Sequence, residues 1–134
     1  MIYLLDSVTV IHAVNGSLAV AQRVNDAEQR GDRIVTSVIA QAEMVFGAEN
    51  SPKREANLRR LREKLARMEV LPVTAEVADK YGELRAYLQA RGRNKTDLDL
   101  LIAATAVVVG ATLVTDDGAL LAGDIPGLRV ENWV

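Results

Sequence analysis

Short apolar runs typical of β-strands alternate with longer segments of helical periodicity along this chain of 134 residues. The strand-like runs cover residues 2–5, 34–36, 70–73, 112–115 and 128–131. The helical segments cover residues 17–30, 37–48, 54–67, 75–90 and 97–109, with a short helix expected after Asp6. This alternation predicts a single α/β domain over residues 1–134, with three α/β/α layers and a mostly parallel central sheet of about five strands.

The composition excludes several kinds of functional site. The chain has no cysteine, so disulfides, thiolate metal sites and cysteine nucleophiles are excluded. Its one histidine, His12, lies among apolar residues, so a catalytic triad has no natural place. The most apolar stretch, residues 100–114, falls short of the ~18 residues of a membrane span. The N-terminus lacks a signal-peptide pattern, and a cytoplasmic protein without membrane contact is expected.

Polar side chains follow three of the predicted strands at the points where those strands end. Asp6 follows the first strand, Ser37 the second, and Asp116 and Asp117 the fourth. The carboxyl ends of parallel strands lie at one edge of a sheet, which is where ligands bind in such folds. The sequence therefore predicts that these three segments meet at one polar edge.

Two further acids lie on helix faces that should pack inward. Glu43 has Ile39 one turn before it and Phe46 one turn after it, and Asp99 has Ile102 one turn after it. A buried carboxylate is costly unless it is paired or binds a metal. Both helices would direct these carboxylates towards the edge that holds Asp6 and Asp117, which indicates a shared cation.

Each acid also has a simpler explanation of its own. Asp99 lies three residues after Thr96, which is a common capping arrangement at a helix start. Glu43 could pair with an arginine, and the Asp116–Asp117 pair before a glycine is common in turns. Several acids at one edge favour a single acidic site, and oxygen-only ligands suit Mg²⁺ or Mn²⁺. Such ions can activate water for hydrolysis of a phosphodiester.

Charge is unevenly distributed, although the net charge is −2. Residues 52–67 contain seven basic residues and two acidic ones, whereas residues 96–134 contain six acids and one arginine. A basic flank beside an acidic edge could hold the phosphates of a nucleic acid, and the alternative is a solvated helix face. The predicted RNA contacts are Arg54, Arg59, Arg60, Arg85 and Lys95.

Several segments, in order, resemble a known family. The chain reads LLD near its start, then TSVIAQAEMVFGAE, YGELRAYLQARG, DLLIAATAVVVGATLVTDD and finally IPGLRVENW. In this order and spacing they closely resemble PIN-domain ribonucleases, specifically the VapC-type toxins of bacterial toxin–antitoxin pairs. The resemblance extends over nearly the whole chain.

This resemblance implies cleavage of RNA that depends on Mg²⁺ or Mn²⁺. The acidic quartet of the family corresponds to Asp6, Glu43, Asp99 and Asp117. The supporting positions correspond to Ser7, Thr115 and Asp116. The resemblance also implies a homodimer, silenced by a VapB-like antitoxin whose helix and tail lie across the groove, in a heterotetramer or larger assembly.

The chain departs from the family pattern at two positions near the acids. The family usually continues its first motif as Asp-Thr-Asn, and here the motif is Asp6-Ser7-Val8. Leu98 precedes Asp99 where the family commonly has a polar residue. The alternative to a nuclease is therefore a catalytically impaired PIN domain that binds RNA or a partner.

Overall fold

One sheet of five parallel strands forms the centre of the computed structural model, which describes residues 1–134. Its strands are β1 (Ile2–Leu5), β2 (Arg33–Ser37), β3 (Glu69–Leu71), β4 (Thr112–Val114) and β5 (Arg129–Glu131). Their order across the sheet is β3-β2-β1-β4-β5, and every neighbouring pair is parallel. The predicted fold class is confirmed, and the sheet is entirely rather than mostly parallel.

Seven helices connect these strands. They are α1 (Ser7–Val14), α2 (Leu18–Gln29), α3 (Val38–Glu49), α4 (Arg54–Leu65), α5 (Ala75–Gln89), α6 (Asp97–Val109) and α7 (Gly118–Leu121). Right-handed connections place α1 to α4 on one face of the sheet and α5 to α7 on the other. The packing agrees, since α1 contacts α2, α3 and α4, and α5 packs along α6. None of the helices is both long and apolar enough to cross a membrane.

The predicted element boundaries agree with the structure to within two residues. Strand β3 ends at Leu71 because Pro72 follows it and has no N–H to donate to a neighbouring strand. Helix α6 ends at Gly110, whose φ of 71° is left-handed and suits glycine. The sequence did not predict α7, because four residues are too few to show a helical period.

The strand order reverses between β1 and β4, and this reversal creates the site. Residues Leu4 and Leu113 on these two strands are fully buried at the centre of the core. From β1 the chain continues to β2 on one side, whereas from β4 it continues to β5 on the other. The connections diverge and leave a crevice at the carboxyl ends of the two strands. The Asp6 N–H donates a 2.9 Å hydrogen bond to the Val114 carbonyl at this point.

Candidate active site

Asp6 is the one acidic residue that is buried, with 6% of its surface exposed. It caps α1: its Oδ1 accepts a 2.7 Å hydrogen bond from the Ser7 N–H, and its Oδ2 accepts a 2.8 Å bond from the Thr115 hydroxyl. Burial raises the pKa of Asp6, these two hydrogen bonds lower it, and the charges of Asp117 and Asp116 raise it again. The ionised side chain is therefore held where a positive charge would stabilise it.

The Thr115 hydroxyl joins the two acids that follow β1 and β4. Thr115 is fully buried, and its Oγ1 donates to Asp6 and accepts a 3.1 Å hydrogen bond from the Asp117 N–H. Asp117 caps α7, since its Oδ1 accepts a 2.8 Å hydrogen bond from the Ala119 N–H. Asp117 is thus a helix cap and also lies beside Asp6.

Replacing Thr115 by valine should destabilise the fold and raise the pKa of Asp6 further. Valine has nearly the same shape but cannot donate to Asp6 or accept from the Asp117 N–H. We expect the free energy of unfolding to fall by about 1–3 kcal/mol. Urea denaturation and NMR titration of the Asp6 carboxyl carbon measure the two effects. Thr115→Ser keeps the hydroxyl, so its Asp6 pKa should match that of the wild type although it loses a buried methyl group. An unchanged Asp6 pKa in Thr115→Val would contradict the assigned hydrogen bond.

Glu43 on α3 faces the same edge and is half-buried. Burial raises the pKa of Glu43, and the charge of Asp6 raises it further, while the Ser7 hydroxyl lowers it. No arginine or lysine forms an ion pair with it. The structure therefore does not support the simpler interpretation of Glu43 as half of an ion pair.

Asp99 at the start of α6 is the fourth carboxylate at this edge. Burial raises the pKa of Asp99, and so does the charge of Asp117, whereas hydrogen bonding of the Thr96 side chain to its carboxylate lowers it. The predicted cap is present: the Thr96 Oγ1 accepts a 3.2 Å hydrogen bond from the Asp99 N–H. The Asp99 carboxylate lies close enough to Asp117 and Asp6 that their charges also raise its pKa, which places it at the edge.

The four carboxylates offer oxygen ligands and have no basic partner. None of the ion pairs of the protein includes Asp6, Glu43, Asp99 or Asp117. No three of them converge on one point as a finished metal centre does, and repulsion between like charges opposes closer approach. The donor set fits a hard divalent cation such as Mg²⁺ or Mn²⁺, which prefers oxygen to nitrogen or sulfur.

A cleft of about 390 Å³ adjoins the acidic edge. Ser7 and Glu43 line it together with Arg60 and Leu61 of α4, and half of its lining residues are hydrophobic. Val8, at the position where the resemblance predicts asparagine, also lines this cleft. The surface beside the acids is thus partly apolar and suited to contact with a partner or substrate.

Two supporting residues predicted from the resemblance lie at the margin of the acids. The Ser7 N–H bonds the Asp6 carboxylate, and Ser7 also lies beside Glu43. Asp116 is exposed and makes no hydrogen bond with its side chain, although its charge raises the pKa of Asp6. Both lie at the predicted place, and their catalytic roles remain predictions.

The predicted RNA-binding arginines of α4 differ in their availability. The Arg54 Nε lies 2.6 Å from the Glu49 carboxylate, and Arg60 donates to the Val14 carbonyl at 3.2 Å. Arg59 is exposed and has no hydrogen bond or ion pair within the protein. Of these three, Arg59 is the most readily available for a phosphate.

The two remaining basic residues are both engaged by the protein. Arg85 is exposed, and its guanidinium lies 3.4 Å from the Asp97 carboxylate. The Lys95 side chain is only 7% exposed, and its ammonium donates to the Ala119 carbonyl at 2.8 Å and to Asp124 at 2.9 Å. We therefore omit Lys95 from the RNA surface, because its charge is buried and already partnered.

Asp124 is the functional candidate that the sequence did not reveal. It lies after α7 and shares its carboxylate with Lys95, 29 residues earlier in the chain. An aspartate in a loop and a lysine in a basic stretch look like ordinary surface residues, so no sequence pattern pointed to the pair. The excess of acids after residue 96 was the only related signal.

The acidic crevice at the point where the strand order reverses places the chain among the α/β proteins that bind ligands at this point. Comparison with known proteins specifies the family. The profile of the family described as PIN domain matches residues 3–124, which include all seven helices and, except for Ile2, the first four strands. Ribonuclease VapC2 of Rickettsia felis is 35% identical over 133 residues, which cover 99% of this chain and 98% of the relative.

Two further comparisons agree with this match. The tRNA(fMet)-specific endonuclease VapC of Salmonella typhimurium is 31% identical over 132 residues, covering 98% of this chain and 97% of that protein. The crystal structure of VapBC2 from Rickettsia felis, bound to a DNA fragment from its promoter, contains a chain that superposes with a TM-score of 0.91. That chain is 33% identical, and the match covers 100% of both chains. The protein therefore belongs to the PIN-domain family, among the VapC ribonucleases.

Proposed function

We propose that the protein is a metal-dependent endoribonuclease toxin that a cognate antitoxin neutralises. The observation that carries this proposal is that four carboxylates without a basic partner face the crevice at the ends of β1 and β4, close enough for their charges to interact. The relatives named as ribonucleases support the same reaction class. The proposal extends to a cytoplasmic location, since RNA is found there.

We assign the cation to the acidic edge. Asp6, Asp99 and Asp117 would hold Mg²⁺ or Mn²⁺, with Glu43 contributing directly or through a water. Bound there, the cation supplies the Lewis acidity that activates water for attack on a phosphodiester. The hydrogen bond of Thr115 to Asp6 fixes the direction in which that carboxylate points, and the Asp117 cap of α7 fixes a second one.

The RNA backbone is proposed to lie along α4. Arg54 and Arg59 line a surface hollow with Lys53, on the helix whose other residues line the cleft beside Glu43. Phosphate contacts of this kind position a strand without reading its sequence. The Salmonella relative is named for a transfer RNA, so transfer RNA is the first substrate to test. The binding surface also includes Arg60 and Arg85, once their protein partners are exchanged for phosphates.

Replacing Arg59 by glutamine should weaken RNA binding without slowing the chemical step. One phosphate contact fewer should raise KM, leave kcat unchanged and reduce the slope of log affinity against log salt by about 1. Steady-state cleavage at several salt concentrations gives all three quantities. Arg33→Gln is the matched control, because Arg33 is exposed at the amino end of β2 and pairs with Glu69. An equal effect of both variants would contradict a local contact.

The partner proposed for the cleft is the helix of a VapB-like antitoxin. Exposed apolar side chains beside the acids, including Ile11 in the cleft lining, would pack on an apolar helix face, and the antitoxin tail would then cover the carboxylates. The solved relative is a VapBC complex. We further propose a toxin homodimer and a heterotetramer or larger assembly with the antitoxin.

Cleavage of total RNA, with purified transfer RNA in parallel, tests the function. The purified protein is incubated with Mg²⁺, with Mn²⁺ and with EDTA, and with the antitoxin added back. Cutting that needs the metal and stops with the antitoxin is the expected result. A folded, metal-replete protein that leaves all RNA intact would overturn the proposal in favour of the impaired, binding-only PIN domain. The ribonuclease names of the relatives do not favour that alternative.

A further inference from the structure

Lys95 carries a buried positive charge next to the proposed site. Its side chain is 7% exposed, and that of its partner Asp124 is 12% exposed. The Lys95 ammonium is 2.9 Å from Asp124 Oδ2 and 2.8 Å from the Ala119 carbonyl oxygen. Asp124 also lies 3.3 Å from Arg93, whereas its Oδ1 is buried with no partner. Burying such a pair costs about as much as its attraction returns, so fold stability alone explains it poorly.

The partners of Lys95 connect the two segments that hold Asp99 and Asp117. Lys95 directly precedes Thr96, whose hydroxyl caps the Asp99 N–H at the start of α6. Ala119 accepts from Lys95 through its carbonyl and donates to Asp117 through its N–H, at 2.8 Å in each case. The peptide chain joins Lys95 to the start of α6, and hydrogen bonds through Ala119 join Lys95 to Asp117.

This connection is needed because Asp99 and Asp117 repel each other. They come from different elements, and no ion pair of their own holds them together. Helix α7 is only four residues long, so its few internal hydrogen bonds do little to resist a shift. Lys95 supplies a fixed contact to α7 through the Ala119 carbonyl, and Asp124, which follows α7, holds the Lys95 ammonium in place.

We propose that Lys95, held by Asp124, is a positioning residue that fixes α7 against the start of α6 and so sets the separation of Asp99 and Asp117. The proposal rests on the proposed function, in which those two acids bind the cation. Lys95 itself touches neither RNA nor the cation. Ligand groups that are held in this way by surrounding hydrogen bonds typically bind metal about 10–100-fold more tightly than unsupported ones.

The test is Mn²⁺ binding measured by isothermal titration calorimetry on the full chain without RNA. Lys95→Met removes the ammonium group but keeps a side chain of similar length, and Asp124→Asn removes the negative charge that holds the ammonium. We expect each to raise the dissociation constant about 10–100-fold. Charge alone predicts the opposite sign for Lys95→Met, because a positive charge near a cation site is lost. Tighter or unchanged Mn²⁺ binding by Lys95→Met would overturn the proposal.

A paired variant guards against simple unfolding. Lys95→Met leaves Asp124 buried without its ammonium, whereas Lys95→Met/Asp124→Leu removes both charges and leaves no unpaired carboxylate. The double variant should unfold cooperatively, exchange the Ala119 amide hydrogen faster and still bind Mn²⁺ weakly. Arg93→Gln is the matched control, since Arg93 also faces Asp124 but is exposed, and it should bind Mn²⁺ like the wild type. Wild-type affinity in the double variant would overturn the positioning role.

Cleavage kinetics separate this role from an RNA contact. At Mn²⁺ concentrations that saturate each variant, Lys95→Met should keep the KM for RNA and the salt dependence of the wild type. A raised KM with unchanged Mn²⁺ affinity would instead make Lys95 an RNA ligand and overturn the proposal. If the wild type binds no Mn²⁺ and cuts no RNA, the proposed function fails as well. If the wild type binds and cuts while the variants bind equally well, only the inference about Lys95 fails.

Discussion

Asp6→Asn should abolish cleavage of RNA while leaving the protein folded. Asparagine keeps the shape of the side chain but removes the buried charge that the proposed cation needs. A cation of this kind contributes several kcal/mol to the transition state, so we expect kcat/KM to fall by about 10³-fold or more. The expected loss exceeds that of any other single change proposed for this protein.

The stability of Asp6→Asn distinguishes catalysis from folding. Because Asp6 is buried and lies near Asp117 and Asp116, its charge is unfavourable in the metal-free protein. Neutralising it should therefore raise the melting temperature measured in EDTA. Asp26→Asn is the control, since Asp26 is exposed on α2 and its side chain makes no hydrogen bond. Cleavage by Asp6→Asn within tenfold of the wild type would exclude Asp6 as a metal ligand.

Without divalent metal, the acids of the site should lower the free energy of unfolding as the pH rises. The folded pKa values of Asp6, Glu43 and Asp99 are raised above their ordinary values of 3.8, 4.5 and 3.8. A raised carboxyl pKa means that the folded state holds its proton more tightly than the unfolded chain does. The contribution is therefore fully present below about pH 4 and is lost as the pH rises through the folded values.

Two other acids, Asp32 and Asp124, have pKa values that are lowered in the folded protein, so their effect on stability has the opposite dependence on pH. The pKa of Asp32 is lowered by its hydrogen bond to the N-terminal ammonium, and that of Asp124 by its hydrogen bond to Lys95. Their contribution is present above the ordinary value of 3.8 and is lost as the pH falls through their lowered values. Above about pH 4, the three site acids with raised pKa values therefore determine how the free energy of unfolding changes with pH.

Divalent metal should reverse this dependence. At a hundred times its dissociation constant, a cation that binds only the folded state adds about 2.7 kcal/mol. We expect nearly that gain at about pH 7.5 and much less at about pH 5, where protons compete for the carboxylates. Urea denaturation at both pH values, with Mg²⁺ or with EDTA, measures it. Asp6→Asn should reduce both the pH dependence in EDTA and the stabilisation by Mg²⁺. An equal stabilisation by Mg²⁺ at the two pH values would place the ion elsewhere.

The sequence predicted the four acids because each violates an ordinary expectation. Asp6 and Asp117 end apolar strands, and the rule for parallel sheets brings such ends to one edge. Glu43 and Asp99 are charges on helix faces that should be apolar. All four face one edge in the structure, although binding of a cation by them remains a prediction.

Lys95 shows what sequence patterns cannot predict. In the chain it follows two arginines and resembles a solvated base, whereas in the fold its ammonium is buried against Asp124. The difference depends on how α7 packs beside the start of α6, and α7 is too short to have a recognisable period. Whether a charge reaches solvent depends on tertiary packing that local sequence does not encode.

The sheet order has a consequence for the growing chain on the ribosome. Strand β1 lies at the centre, and its neighbour on one side, β4, is made late; Thr115 is 109 residues from the Asp6 that it bonds. The first three strands and their four helices can pack as they emerge, because those neighbours are close in sequence. The acidic edge closes only when α6, β4 and α7 arrive. The proposed active site is therefore complete only when synthesis of the chain is nearly finished.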